Sequence, residues 1–308
     1  MNHTTHGHDR MPRYTALQAV LLGCLAAPLV LAGATSRGTQ AQSAPRWDAQ
    51  STTGPAPPPE VNVAGTHCPS PDAVVLSDVP AYIWRHGCGP TAAGMVIGYW
   101  DGHGFGALVP GDAMTQTLAV DVMMASDGNY NDYCLPLDFY PDLLPDRSEP
   151  PPGDEHPDDC LADYMKASQS ASYNYYGWSW FSDVTPSLLG YVNSLGLPDY
   201  RVTAGDLYMQ FPPYLTWSSF QAEINSGRPL VFLVDTDGNG GTDHFVPAIG
   251  YDTVGGVNYY ACLNTWDQDI HWFVFAQMTS GQPWGIYGAT WFHISQADYV
   301  IYLPLIFN

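Results

Sequence analysis

The thirteen residues from Cys88 to Trp100, CGPTAAGMVIGYW, carry no charge and are apolar all round instead of along one stripe. A helix of that pattern is buried on every side, so the rest of the chain must cover it. Pro90 suits its first turn, where a missing N–H costs nothing. Gly94 and Gly98, four apart on one face, are expected to let another backbone approach closely.

From Leu230 onward the chain reads as strands. LVFLVD, HFVPAIGYD, NYYACLNTW, WFVFAQM, GIYGATWFHI and YVIYLPL are short, rich in Val, Ile, Tyr, Phe and Trp, and separated by turn residues. TVGG between the second and third is a hairpin connection. Two further helices precede them. TPSLLGYVNSLGL has Thr185 as N-cap, Pro186 at its first position and Gly196 as its stop; TWSSFQAEINSGRP ends at Gly227 and Pro229. Helices first and an antiparallel sheet afterwards make an α+β domain, expected over residues 73–308. Residues 105–182, rich in Asp, Pro, Asn and Tyr, are expected to be a surface insertion.

The N-terminus predicts export. Arg10 and Arg13 precede the apolar run ALQAVLLGCLAAPLVLAGA, and Ala32-Gly33-Ala34 offers the small residues that a signal peptidase reads, so residues 1–34 are expected to be a removed signal. An uncleaved anchor and a lipoprotein signal at Cys24 are the other readings of this run. His3, His6 and His8 lie ahead of it and would not belong to the mature protein. Residues 35–72 are rich in Ser, Thr, Gln and Pro without apolar period and are expected to be a disordered linker. Thirty acids against nine bases give a net charge of −21, which disfavours nucleic acid and anionic membrane surfaces. A secreted or extracytoplasmic monomer, with no stable membrane insertion once the signal is gone, is the expectation.

Chemistry concentrates at three places. Cys88, between two glycines at a helix start, feels the positive end of the helix dipole, which favours thiolate; a small buried residue or half a disulfide is the competing reading. A thiolate nucleophile wants an imidazole, and the imidazole wants a third group to orient it. His244 opens DHFVPAIGYD and Asn264 closes YYACLNTWD, so an antiparallel hairpin returns Asn264 to the level of His244. Trp266 is placed to shield that contact, and Asp267 is a second candidate for the orienting role.

These segments resemble papain-like cysteine peptidases. His-x-Val-x-Ala-Ile-Gly-Tyr followed by Tyr-Tyr-x-x-x-Asn-Thr-Trp is similar to the histidine and asparagine strands of that superfamily, while Cys-Gly-Pro-Thr-Ala-Ala-Gly-Met and CLADYMKASQS, from Cys160 on, resemble its C39-like branch. The likeness spans roughly residues 78–266. It implies a papain-like fold with the helix of Cys88 on an antiparallel sheet, Cys88 as nucleophile, His244 as general base and then acid, and Asn264 as orienting group. Such families place a glutamine about six residues before the cysteine to stabilise the oxyanion. Here that position is Tyr82. Either Tyr82 or His86 donates in its place, or backbone N–H groups including that of Cys88 form the hole, or activity is lost.

Six cysteines become five once Cys24 leaves with the signal, and an odd count in an exported protein points to one free thiol. Cys88 fits that role. Cys134 to Cys160 is the expected bridge, and Cys262 points to the core or to Cys68. His103, His271 and His293 lack metal-ligand spacing and read as structural. DTDGNGGTD, just before His244, matches the oxygen-ligand spacing of a calcium loop through Asp235, Asp237, Asn239 and Asp243, with Val246 where an EF-hand has glutamate. A partial calcium site and a plain polar turn both remain open; no other cofactor is required. Two functions follow: a thiol hydrolase acting on peptide or protein, and a weak or inactive papain-like domain that binds peptide or glycan in a cleft containing Trp84, Trp178, Trp180 and Trp217.

Overall fold

An antiparallel sheet with helices on both faces forms the domain. The computed structural model describes residues 49–65, 67–132, 158–167 and 177–297. In chain order the elements are β1 (Val74–Val75), α1 (Cys88–Gly102), α2 (Leu118–Met124), α3 (Asp127–Asp132), α4 (Leu161–Tyr164), α5 (Phe181–Ser194), β2 (Tyr200–Tyr208), α6 (Trp217–Asn225), β3 (Leu230–Asp235), β4 (His244–Val254), β5 (Val257–Leu263), β6 (Ile270–Val274) and β7 (Gly285–Gln296). The strand order is β2-β7-β3-β4-β5-β6. β3 pairs with β4 only as far as Ala248; beyond it, Val74 and Val75 of β1 take over opposite Tyr251 and Gly250.

All six residues of β3 are buried, because both of its faces are covered. Val231 and Leu233 join the core beneath α1, α2 and α5, whereas Leu230, Phe232 and Val234 pack on the other side with Phe220 and Ile224 of α6. The period of two along a strand divides the apolar run between two cores. Each large side chain removed from water contributes about 1.5–3 kcal/mol. The β4–β5 hairpin closes through Gly255 and Gly256, at φ 61° and 83°, a turn that twists with its strands.

Several expectations are corrected. α5 begins at Phe181, and Pro186 lies inside it. Proline cannot donate to the Ser182 carbonyl there, but Ser182 is exposed and water can serve it. β2 has no clear signature in the sequence: Arg, Thr, Gly and Asp in YRVTAGDLY hide a half-exposed edge strand. Gly94 and Gly98 admit side chains where another backbone was expected, since a Cβ on Gly94 would lie 2.6 Å from Met124 Cγ and one on Gly98 would meet the Tyr82 hydroxyl. The described part of the stretch 105–182 is more than a surface insertion. Leu108, Val109, Val120, Met123, Met124, Leu161 and Met165 are buried in the core around α1. Short helices in a polar context gave no period long enough to read.

The expected linker also ends earlier than residue 72. Ala49, Ser51 and Thr53 are buried, and Val61 and Val63 pack on the far face of the sheet. The export segment 1–34, Cys134 and the strand expected at 299–305 lie outside the described residues. Among the described residues no helix is long and apolar enough to cross a membrane.

Candidate active site

Cys88 opens α1 and is fully buried. Its glycine neighbours are required by packing. Gly87 has φ 118°, and a Cβ there would lie 2.7 Å from the Gly177 carbonyl oxygen; one on Gly89 would strike Ser179 Oγ and lie 2.6 Å from Met165 Sδ. The segment from Gly177 to Ser179 therefore passes directly over the cysteine. On the other side, the Phe245 N–H donates to Cys88 Sγ at 3.3 Å.

His244 lies on the neighbouring strand, fully buried, with its ring stacked on Trp266 at a centroid distance of 3.9 Å. Its Nε2 is 2.7 Å from the Asn264 main-chain carbonyl. A carbonyl only accepts, so Nε2 carries the proton and Nδ1 is left as the acceptor. That Nδ1 faces the Thr53 hydroxyl at 2.5 Å, and the same hydroxyl is 3.8 Å from Cys88 Sγ. Thr53 thus stands between thiol and imidazole. No direct hydrogen bond joins Cys88 to His244 among the described residues.

Burial controls the charges. It pushes the Cys88 thiol up, against the Phe245 N–H and the hydroxyls of Ser51 and Thr53, which favour the thiolate. It holds His244 down to about 3, against the Asn264 hydrogen bond. Burial thus favours the neutral form of both groups and opposes the thiolate that the helix dipole favours.

Asn264 reaches the level of His244, as the hairpin predicts, but it holds the ring through its backbone. Its side chain turns away: Oδ1 accepts from the Trp266 and Asp267 N–H groups at 2.9 Å each, and Nδ2 lies 3.0 Å from both Asp267 Oδ2 and His271 Nε2. Asp267 is 2.7 Å from His271; burial opposes its charge, but hydrogen bonds from His271 and Asn264 outweigh that and keep its carboxyl below the usual value. Asn264 and Asp267 thus fix the turn that presents the carbonyl. Asn264→Ala is expected to take the acceptor from two half-buried N–H groups, costing about 1–3 kcal/mol of stability, and to lower kcat with little change in KM. Asp267→Ala, removing a half-exposed carboxylate, should do less; steady-state kinetics and thermal melts on both variants check the ranking.

Tyr82 is not an oxyanion donor. Its hydroxyl donates to the Ala113 carbonyl and sits over Gly98, about 15 Å along α1 from Cys88 at 1.5 Å per residue. His86 is buried with φ 48°; burial and then Arg85 lower it to about 3, opposed by a hydrogen bond with Asn129. Asn129 in turn donates to Asp163, so His86 is tied to the helical layer. Of the four tryptophans expected in the cleft, Trp217 packs against Tyr251 and Phe275 on the opposite face of the sheet. Trp178 and Trp180 flank the cysteine's surroundings through Ser179, and the Trp84 ring touches Gly177. His103 stacks on Tyr99, and His293 bonds to Glu223, both structural as expected. Cys160 and Cys262 are buried and Cys68 is exposed, with no bridge among the described cysteines, so Cys262 is not joined to Cys68; Cys134, the expected partner of Cys160, lies outside the described residues. The polarity and small size of Ser51 and Thr53 concealed them within apparent linker sequence.

The loop before His244 gathers Asp235, Asp237 and Asp243, whose carboxylate oxygens lie within 4.8 Å of one another. Asp235 accepts from the Gly238, Asn239 and Gly240 N–H groups, and Asn239 bonds to Asp237. Burial raises Asp243 to about 7, relieved in part by Thr236 and reinforced by Asp235 and Asp237. Its folded value lies above the unfolded one, so its stabilising contribution is full below about pH 4 and is lost as pH rises through 7. Asp243→Asn is expected to flatten that decline; melting temperature against pH for both proteins measures it.

No model of a known protein family matches the chain, and no curated protein matches it.

Proposed function

We propose that this chain is an exported thiol hydrolase of peptide or amide bonds, papain-like in its arrangement and C39-like in its nucleophile segment. The observation that carries this reading is the Thr53 hydroxyl lying within reach of both Cys88 Sγ and the unprotonated Nδ1 of His244. When a substrate takes the place of Thr53, Nδ1 accepts the thiol proton and Sγ attacks the carbonyl carbon. The imidazolium then returns the proton to the leaving amine, and water, deprotonated by the same nitrogen, resolves the acyl-enzyme. The Asn264 carbonyl holds the ring and its tautomer throughout. Backbone N–H groups at the start of α1, including that of Cys88, are the candidates for the oxyanion hole in this scheme.

A non-catalytic domain binding peptide or glycan is the second reading, favoured by Tyr82 being committed elsewhere. Incubating the purified protein with a library of quenched fluorescent peptides and a thiol-directed peptidase inhibitor separates the two. Turnover that stops at one inhibitor per chain on Cys88 supports the hydrolase; binding without turnover supports the module. Calcium at Asp235, Asp237, Asn239 and Asp243 belongs to the same proposal, motivated by three carboxylates in one loop. A melting temperature that does not rise with millimolar calcium would remove it.

A further inference from the structure

Residues 49–54, Ala-Gln-Ser-Thr-Thr-Gly, run extended through the groove between the Ser179 segment and the start of β4. One edge pairs with the chain around Ser179: the Ser51 N–H donates to the Ser179 carbonyl at 2.9 Å, and the Phe181 N–H to the Ala49 carbonyl at 2.8 Å. Across the groove, the N–H groups of Thr52 and Thr53 both donate to the Asp243 carbonyl, at 2.8 and 3.1 Å, and Gln50 bonds to the Thr242 hydroxyl through both its N–H and its carbonyl. Two indoles complete the grip. Trp178 Nε1 donates to the Thr52 carbonyl and Trp266 Nε1 to that of Gly54.

Side chains alternate as in a strand. Ala49, Ser51 and Thr53 point inward and are buried, while Thr52 is exposed. The inward positions are tight: Ser51 Oγ is 3.4 Å from Ser179 Oγ, and Thr53 fills the space between Cys88 and His244. Main-chain pairing supplies the affinity of such a groove, and the tight inward pockets at alternate places, which demand small side chains, supply its specificity.

We infer that this groove is a peptide-binding site for extended segments with small, hydroxyl-bearing inward residues, and that residues 49–54 are its built-in occupant, which must leave before Cys88 can be reached. The inference deepens the hydrolase reading by naming the class of ligand and the state in which the site is closed. It does not require that reaction to occur.

Alkylation of the full chain by iodoacetamide, followed by mass spectrometry, tests it, with exposed Cys68 as internal reference. Cys88 should label slowly in the unaltered protein. Thr52→Pro deletes one of the two main-chain donors to the Asp243 carbonyl without touching a buried side chain, and it should speed labelling of Cys88 about ten-fold or more while Cys68 is unchanged. Adding acetyl-Ala-Gln-Ser-Thr-Thr-Gly-amide should restore slow labelling, and the same peptide with Trp at its Ser and second Thr positions should not. Should Thr52→Pro lose its cooperative melt, Thr53→Ala, which removes only the bridging hydroxyl and a methyl, takes its place with the same expected direction. Equal Cys88 labelling in the unaltered and variant chains, or no protection by the peptide, overturns the inference. Release and protection in a chain that hydrolyses nothing would keep the groove and discard the hydrolase. Turnover that is identical in the unaltered and Thr52→Pro chains would keep the hydrolase and discard the built-in occupant.

Discussion

Replacing Cys88 with alanine is expected to lower peptide hydrolysis by roughly four orders of magnitude or more, to the level left by binding alone. The sulfur is the nucleophile of the acylation step in the scheme, and His244 without it activates only water. Stability should change little, by about 1 kcal/mol, because the lost atom is small and leaves α1 and its contacts in place. Turnover and thermal unfolding measured on one preparation decide the matter. A folded Cys88→Ala protein that retains full turnover would remove Cys88 from the mechanism. His244→Ala provides the companion measurement, since nucleophile and base acting as one unit should give losses of similar size.

Gly87→Ala is expected to destabilise the domain by about 2–4 kcal/mol, combining a backbone conformation that L-residues avoid with a steric clash. At φ 118° and ψ 143° the new Cβ would point at the Gly177 carbonyl oxygen, 2.7 Å away, and the segment carrying Gly177 and Ser179 would have to move off α1. That segment forms one edge of the groove, so turnover should fall along with stability. Gly104→Ala is the control. It shares a positive φ, 100°, but a Cβ there has nothing within 4 Å, so it should show backbone strain alone. Comparable losses of melting temperature in the two variants would mean that the close approach at Gly87 contributes nothing.

Much of the domain can be read from residue patterns because those patterns are local. β3, β4, β5 and β7 coincide closely with their apolar runs, and the Gly255-Gly256 turn sets the register that brings Asn264 back beside His244. α6 ends near Gly227, at φ 71°, as its sequence predicts. By contrast, β2 is a polar edge strand, α2 is seven residues long, and Met124 reaches Gly94 from another part of the chain. None of these leaves a period or a cap strong enough to be seen alone.

The site divides in the same way. Cys88, His244 and Asn264 are visible in sequence because residue type, order and neighbouring turns are enough to nominate them. Their working relations are not. That Asn264 holds His244 through its carbonyl, that Tyr82 is spent on Ala113, and that burial pushes the Cys88 thiol up all depend on which groups exclude water from one another. Thr53 is the clearest case. In sequence it belongs to a Ser-, Thr- and Pro-rich stretch with no apolar signal, and its place between thiol and imidazole comes from its N–H hydrogen bond to the Asp243 carbonyl and from pairing around Ser179, partners more than a hundred residues away. Local chemistry determined the elements and the candidate residues; long-range main-chain pairing and desolvation, which no local pattern encodes, decided what occupies the site and which charges it can hold.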